Sequence, residues 1–85
     1  MNNIPSGHDP HHDAEWNAGP LGCGELVIEL RARLKRMPGQ VLRVTALDEG
    51  APDDIPAWCR MTRNALLAHD PSQHAYWIRS RSDWA

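Results

Sequence analysis

The stretch GELVIELRARLKRMPGQVLRVTAL, residues 24–47, contains a helical pattern and a strand pattern separated by a Pro-Gly pair. In its first half, apolar residues recur three and four positions apart, which predicts an amphipathic helix that ends at the Pro-Gly pair. Residues 40–47 are rich in β-branched and apolar residues, which predicts a strand. Alternation along that strand assigns one face to Leu42, Val44 and Ala46.

The rest of the chain extends this pattern in both directions. A short strand is predicted around Trp16, before the first helix. After the strand, the loop DEGAPDD leads to a second helix, for which Asp53 or Asp54 is the predicted N-cap and Pro56 a first-turn residue. The last part, ALLAHDPSQHAYWIRSR, predicts two strands joined by a turn at DPSQ.

The predicted order of elements is β-α-β-α-β-β. A helix between two strands implies a right-handed crossover, so the first two strands are expected to be parallel. The final hairpin then adds an antiparallel pair. The predicted fold class is therefore α/β, a two-layer α/β sandwich with a mixed four-stranded sheet and two helices on one face.

Length and composition predict one small domain with a polar N-terminal tail. The chain has 85 residues and a formal net charge of −2. Residues 1–14 are mostly Pro, Gly, Asn, Asp and His, so we predict a disordered His-rich tail there and a domain over residues 15–82. The nearly neutral domain argues against non-specific nucleic-acid binding, and no direct nucleic-acid partner is expected.

The expected location is the cytoplasm. The N-terminus lacks the basic start and apolar core of a signal peptide. No apolar run approaches the roughly 20 residues that span a bilayer, so no membrane association is expected. Two cysteines without an export signal indicate a reducing compartment and free thiols, with a Cys23–Cys59 disulfide as the less favoured alternative.

Cys23 is the candidate catalytic residue, because it comes directly before the first helix. Unpaired N–H groups and a partial positive charge at a helix start stabilise a thiolate. We therefore predict a modest fall of the Cys23 pKa, limited by the nearby charge of Glu25. Gly22 and Gly24 are expected to leave this turn mobile and the thiol accessible. The alternative is that Cys23 is an unreactive small residue in a turn.

Cys59 and the tryptophans are predicted to build the core. Cys59 shares the apolar face of the second helix with Trp58, which predicts a buried and unreactive thiol. Trp58 and either Trp16 or Trp77 are expected to fill the core in place of the absent Phe. Trp84 is expected on the open face of the sheet.

Two polar clusters are predicted to be solvated. The tail histidines His8, His11 and His12 could ligate a divalent metal, but their spacing fits no ordered site. No metal and no cofactor are therefore predicted. The basic residues of the first helix are expected to form a solvated face, with an acidic partner or RNA as the alternative. They are Arg31, Arg33, Lys35 and Arg36.

Three segments, LGCGELVIELRARLKRMPGQ, DIPAWC (residues 54–59) and AYWIRSR (residues 75–81), carry a resemblance to a known family. From Trp16 to Arg81 the chain resembles the TusA/SirA-like sulfur-carrier family of sulfurtransferases. The resemblance implies a βαβαββ two-layer sandwich and a persulfide on Cys23. It also implies a cysteine desulfurase or rhodanese-like sulfur donor and an acceptor protein in tRNA thiolation, molybdenum-cofactor maturation or sulfur oxidation.

The chain departs from the family pattern at three places. Gly24 and Leu26 stand where the motif Cys-Pro-x-Pro has its prolines. Arg63 and Asn64 replace a Gly-His pair, and Asn17 matches a common Asp. Two functions are therefore considered: a small sulfur carrier that relays persulfide sulfur through Cys23, and a non-catalytic interaction or regulatory module that has lost sulfur transfer.

Overall fold

The computed structural model describes residues 9–84 and shows the predicted order of elements. They are β1 (Ala14–Gly19), α1 (Cys23–Lys35), β2 (Val41–Ala46), α2 (Ala51–Thr62), β3 (Ala65–Asp70), a short 3-10 turn (Pro71–Gln73) and β4 (Ala75–Arg79). The prediction of a strand around Trp16 is confirmed, and so is that of a final hairpin.

The four strands form one mixed sheet in the order β1-β2-β4-β3. β1 pairs with β2 in parallel, whereas β4 pairs antiparallel with both β2 and β3. Because parallel β1 and β2 run in one direction, the loops that leave them lie at the same end of the sheet. α1 and α2 therefore begin close to each other.

The main core lies between the sheet and the two helices, as the two-layer prediction requires. Its completely or almost completely buried residues are Leu26, Leu30, Leu34, Leu42, Val44, Ala46, Ala51, Ile55, Trp58, Cys59, Tyr76 and Ile78. The face predicted from alternation in β2 is the one that contacts the helices. Burial of this apolar surface is the dominant stabilising contribution in a domain of this size.

A second apolar layer covers the opposite face of the sheet around Trp77. The Trp77 side chain is only 2% exposed and packs with Val41 and Ala75. The Arg43 guanidinium covers its ring at 5.1 Å from the centroid. Residues 9–12 cover part of this side and line, with Arg43, Gln73 and Trp77, an open cavity of about 330 Å³. This face of the sheet is therefore packed around Trp77, whereas Glu15 and Arg79 on the same face are exposed.

Contacts with β2 begin at Asp13, two residues before the predicted start of the domain. The Asp13 N–H donates to the Val41 carbonyl over 2.8 Å, and the Asp13 carboxylate accepts from the Val41 N–H over 2.8 Å. That hydrogen bond also lowers the Asp13 pKa. Asp13 and Ala14 thus belong to the sheet, because they extend the pairing of β1 with β2. The rest of the predicted tail includes residues 1–8, which lie outside the described residues.

The start of α2 differs from the prediction. Gly50 is the N-cap and the helix begins at Ala51, so Asp53 and Asp54 lie in the first turn and Pro56 lies inside the helix. The prediction of an aspartate N-cap is wrong because Pro52, not Pro56, takes the early helical position that the fixed φ of proline suits.

The predicted position of Trp84 on the open sheet face is also wrong. Trp84 packs against the main core, and its indole N–H donates to Ser80 Oγ over 2.8 Å. Ser80 Oγ in turn donates to the Leu34 carbonyl near the end of α1. The guanidinium groups of Arg31 and Arg81 lie 5.8 Å and 5.7 Å from the Trp84 ring centroid. Trp84 therefore packs with the helices rather than on the far face of the sheet.

Two members of the basic cluster on α1 contact aromatic rings. Besides Arg31, the Arg33 guanidinium lies 4.4 Å from the ring centroid of Trp16. Arg33 also forms an ion pair with Glu29 over 3.8 Å, whereas Lys35 and Arg36 are exposed. The cluster is thus partly a packing feature, because guanidinium groups stack favourably on aromatic faces.

Arg63 ends α2 in a left-handed conformation, with φ at 64° and ψ at 27°. A side chain in this region is strained, and glycine removes the strain. We expect Arg63→Gly to raise the free energy of unfolding by about 0.5–1 kcal/mol relative to Arg63→Ala, measured by urea denaturation. The alanine variant is the matched control for loss of the side chain. A glycine variant no more stable than the alanine variant would contradict this prediction.

Candidate functional site

Cys23 is the first residue of α1, at the position predicted from the sequence. Gly22 is the N-cap, with extended backbone and no side-chain cap, and its carbonyl accepts the first helical hydrogen bond from the Leu26 N–H over 2.8 Å. The Cys23 side chain is partly buried and packs against the main core. The thiol therefore lies at the helix start and keeps access to solvent.

Asp48 holds the Cys23 thiol through a direct hydrogen bond. Cys23 Sγ donates to Asp48 Oδ2 over 3.1 Å, and the Gly50 N–H donates to the same oxygen over 3.0 Å. Asp48 was not identified as a site residue in the sequence. The available signal was its position just after β2, because the loops that follow β1 and β2 meet at one end of the sheet.

Asp54 is the second carboxylate at the site, and it meets Asp48 over Gly50. A Cβ on Gly50 would lie 3.0 Å from Asp54 Oδ2, 3.1 Å from Asp48 Oδ2 and 3.7 Å from Cys23 Sγ. A side chain at position 50 would therefore press on both carboxylates. The absence of one allows the two acids and the thiol to come together.

The electrostatic surroundings raise the Cys23 pKa rather than lower it. Burial of the thiol raises its pKa to about 12, and hydrogen bonds to Asp48 and Asp54 and the charges of both acids act in the same direction. The prediction of a modest fall is therefore wrong. Burial of the thiol, together with two carboxylates close to sulfur, outweighs the partial charge of one helix start. Asp48 and Asp54, rather than Glu25, are the acids that act on the thiol.

Tyr76 of β4 belongs to the buried surroundings of the thiol. Its pKa is raised by burial and, to a smaller extent, by the charges of Cys23 and Asp53. Its ring stacks on His69 with the centroids 4.2 Å apart. Tyr76 is only 1% exposed, so it forms part of the rigid support beneath the site.

Cys59 is a core residue, as predicted. It is 2% exposed, and burial raises its pKa to about 11. Both cysteines are free, so the alternative of a Cys23–Cys59 disulfide does not apply in this structure.

An open groove of about 480 Å³ lies between β1 and α1. It is lined by Trp16, Asn17, Ala18, Leu21, Glu25, Ile28 and Glu29. Ile28 is 70% exposed there. The groove thus combines apolar side chains with two carboxylates, and Cys23 is not part of its lining.

The predicted tail histidines are paired with acids where the structure describes them. His11 lies 3.0 Å from Asp13, and His12 lies 3.6 Å from Glu15. His8 lies outside the described residues. Within residues 9–84, no group of three or more His, Cys, Asp or Glu side chains has the arrangement of a metal site. In the same residues, no helix is both long and apolar enough to cross a membrane.

The fold and the site define a small α/β domain that carries one partly exposed cysteine at the start of its first helix. The family model described as Sulfurtransferase TusA matches residues 15–80. The chain is 36% identical over 74 residues to the sulfur carrier protein TusA of Pseudomonas syringae pv. syringae, covering 84% of this chain and 88% of the relative. It is 35% identical over 75 residues to the protein of the same name from Pseudomonas entomophila, covering 85% and 94%. The chain belongs to the TusA family of sulfurtransferases.

Proposed function

We propose that this protein is a sulfur carrier that accepts sulfur as a persulfide on Cys23 and passes it to an acceptor protein. The observation that carries the proposal is the position of Cys23, partly exposed at the start of α1, where the two helix starts meet. The relatives named as sulfur carriers support it. Cys59 is excluded as the carrier thiol because it is buried in the core.

The reaction exchanges one sulfur–sulfur bond for another. The Cys23 thiolate attacks the terminal sulfur of a persulfide on the donor, which is a cysteine desulfurase or a rhodanese-like protein. A bond forms between Sγ and that sulfur, the donor S–S bond breaks, and the donor leaves as a thiolate that takes up the proton. The sum is Cys–SH plus R–S–SH giving Cys–S–SH plus R–SH, without an oxidant or a reductant.

Delivery repeats the same chemistry in the opposite sense. A thiolate of the acceptor protein attacks the terminal sulfur of the Cys23 persulfide, and Cys23 leaves as the thiolate. The first N–H groups of α1 lack acceptors within the helix and favour that departing charge. We place this relay in the cytoplasm, where thiols stay reduced.

Sulfur loading tests the proposal. After incubation with a purified cysteine desulfurase and cysteine, mass spectrometry is expected to show one added sulfur atom on Cys23, removable by a reducing agent. Cys23→Ser should abolish the addition, because serine forms no persulfide. Cys59→Ala, the matched control for loss of a thiol, should retain it. An unmodified wild-type Cys23 would refute the proposal and favour a non-catalytic interaction module.

A further inference from the structure

Cys23 is surrounded by carboxylates that have no cationic partner in the described part of the chain. Its thiol donates to Asp48 Oδ2 over 3.1 Å, and Asp54 Oδ2 approaches the same loop at Gly50. Among residues 9–84, neither Asp48 nor Asp54 forms an ion pair. By contrast, each ion pair of these residues that contains an arginine uses a different acid; these acids are Glu15, Glu29 and Asp83.

The topology makes the end of the molecule around the thiol acidic. Residues 9–30 and 44–59 contain no Lys or Arg, and they supply the loops and helix starts at this end. The basic residues of both helices lie in their second halves, and Arg33, Lys35 and Arg60 lie in the last turns. A partner that approaches Cys23 therefore meets negative charge first.

We propose that Asp48, with Asp54 beside it, is the positioning residue that keeps Cys23 a neutral thiol until a cationic side chain of the sulfur donor reaches the carboxylate pair. This inference rests on the proposed sulfur-carrier function and concerns the regulation of that same site. In the resting protein the Sγ hydrogen bond requires the proton to be on sulfur. A sulfur anion would lie against two negative charges in a partly buried place.

A Lys or Arg of the donor would supply the missing counterion. With its charge between Asp48 and Asp54, the repulsion between the two carboxylates and a sulfur anion falls, so the Sγ proton can pass to solvent water. The thiolate then attacks the donor persulfide, a new S–S bond forms as the donor S–S bond breaks, and the proton ends on the departing donor thiolate. The nucleophilicity of Cys23 thus rises when a donor with a suitably placed cation is bound, which slows unselective reaction of the free protein with other electrophiles and oxidants.

The charged groups that act on the Cys23 thiol are Asp48 in the loop after β2 and Asp54 on α2. Tyr76 on β4 is influenced by Cys23 and by Asp53 of α2, and Glu25 lies on α1 itself. Glu25 carries the same charge as Asp48 and lies two residues from Cys23, but Sγ donates to Asp48. Glu25→Gln is therefore the matched control, because it removes an equal charge without removing the hydrogen-bond acceptor.

The test measures thiol–disulfide exchange at Cys23 with three small disulfides. Cystamine is cationic, 2-hydroxyethyl disulfide is neutral, and 3,3′-dithiodipropionate is anionic. Each rate is divided by the rate of the same disulfide with 2-mercaptoethanol, which corrects for the different leaving groups. Peptide mass spectrometry locates the adduct on Cys23. We expect cystamine to be preferred over dithiodipropionate by about tenfold or more at low salt and by less than about threefold at high salt, because salt screens exposed charges.

The variants assign the preference to the carboxylate pair. Asp48→Asn and Asp54→Asn should each reduce it severalfold and move the midpoint of the pH–rate profile with the neutral disulfide to lower pH. Glu25→Gln should change the preference for cystamine by no more than about twofold. It should leave the midpoint of the pH–rate profile in place. A wild-type preference for cystamine over dithiodipropionate below about twofold at low salt overturns the proposal. So does a Glu25→Gln variant that loses as much of this preference as Asp48→Asn.

Two features of the test keep its outcomes separate. The salt dependence is measured on the wild-type protein, so the charge preference is tested even where a variant does not fold. The disulfides need no donor protein, so a Cys23 that shows the preference but takes up no persulfide from a desulfurase would refute the sulfur-carrier function and leave the electrostatic role of Asp48 standing.

Discussion

Replacing Trp77 by alanine is expected to lower the free energy of unfolding by roughly 3–5 kcal/mol. The Trp77 side chain is 2% exposed and is the largest member of the apolar layer on the sheet face away from the helices. Its loss leaves a cavity against Val41 and Ala75 and removes the ring over which the Arg43 guanidinium lies. Urea denaturation followed by far-UV circular dichroism measures the loss.

Trp77→Phe separates packing from hydrogen bonding in this layer. Within the residues described, the Trp77 indole N–H is buried without a hydrogen-bond partner. An unpaired buried donor is itself unfavourable, so removing it offsets part of the lost volume. We expect the phenylalanine variant to lose less than half of what the alanine variant loses. An alanine variant within about 1 kcal/mol of the wild type would show that this layer contributes little to stability.

Restoring the two prolines of the family motif is expected to have opposite effects at the two positions. Gly24→Pro should leave stability unchanged or slightly higher, because a Cβ there meets nothing within 4 Å and proline suits the first helical turn. Leu26→Pro should lower the free energy of unfolding by about 3 kcal/mol or more. Leu26 is fully buried, and its N–H donates to the Gly22 carbonyl over 2.8 Å.

Chemical denaturation of both single variants and of the double variant tests this difference. Gly24→Pro is the matched control, since it introduces the same ring two residues earlier in the same turn. If Leu26→Pro retains wild-type stability, the hydrogen bond and packing of Leu26 do not exclude proline from this position of α1. The Cys-Pro-x-Pro motif then fits this chain without loss of stability, and its absence here has no structural reason in α1.

The elements were predictable because their signals are local. Apolar spacing in residues 26–34 indicated α1, and alternation in β2 identified the face that contacts the helices. The start of α2 was less predictable, because two prolines and several aspartates near Gly50 offer competing caps. The position of Trp84 could not be predicted, because one of its partners, Arg31, lies on α1 and is distant in sequence. Its other partner is the Ser80 hydroxyl.

The position of Cys23 at a helix start was predictable, and its electrostatic surroundings were not. Cys23 immediately precedes a helical pattern, and α1 begins at Cys23. The acids that control it come from a loop and a helix distant in sequence, with Asp48 separated from Cys23 by 25 positions. The sequence therefore pointed to Glu25, two residues away, as the acid that acts on the Cys23 pKa, whereas Asp48 and Asp54 are the acids that raise it.

By itself, the sequence determined the order of the elements, the two-layer fold, the buried place of Cys59 and the position of Cys23 at a helix start. Periods of 2 and 3.6 residues and local turn chemistry carry that information over short stretches. Only the tertiary structure decided that the Cys23 thiol donates to Asp48, that Trp77 is buried on the far face of the sheet, and that Trp84 packs against the main core. Each of these contacts joins groups that are distant in sequence and that the pairing and order of the strands bring together. A local sequence pattern contains no information about such contacts.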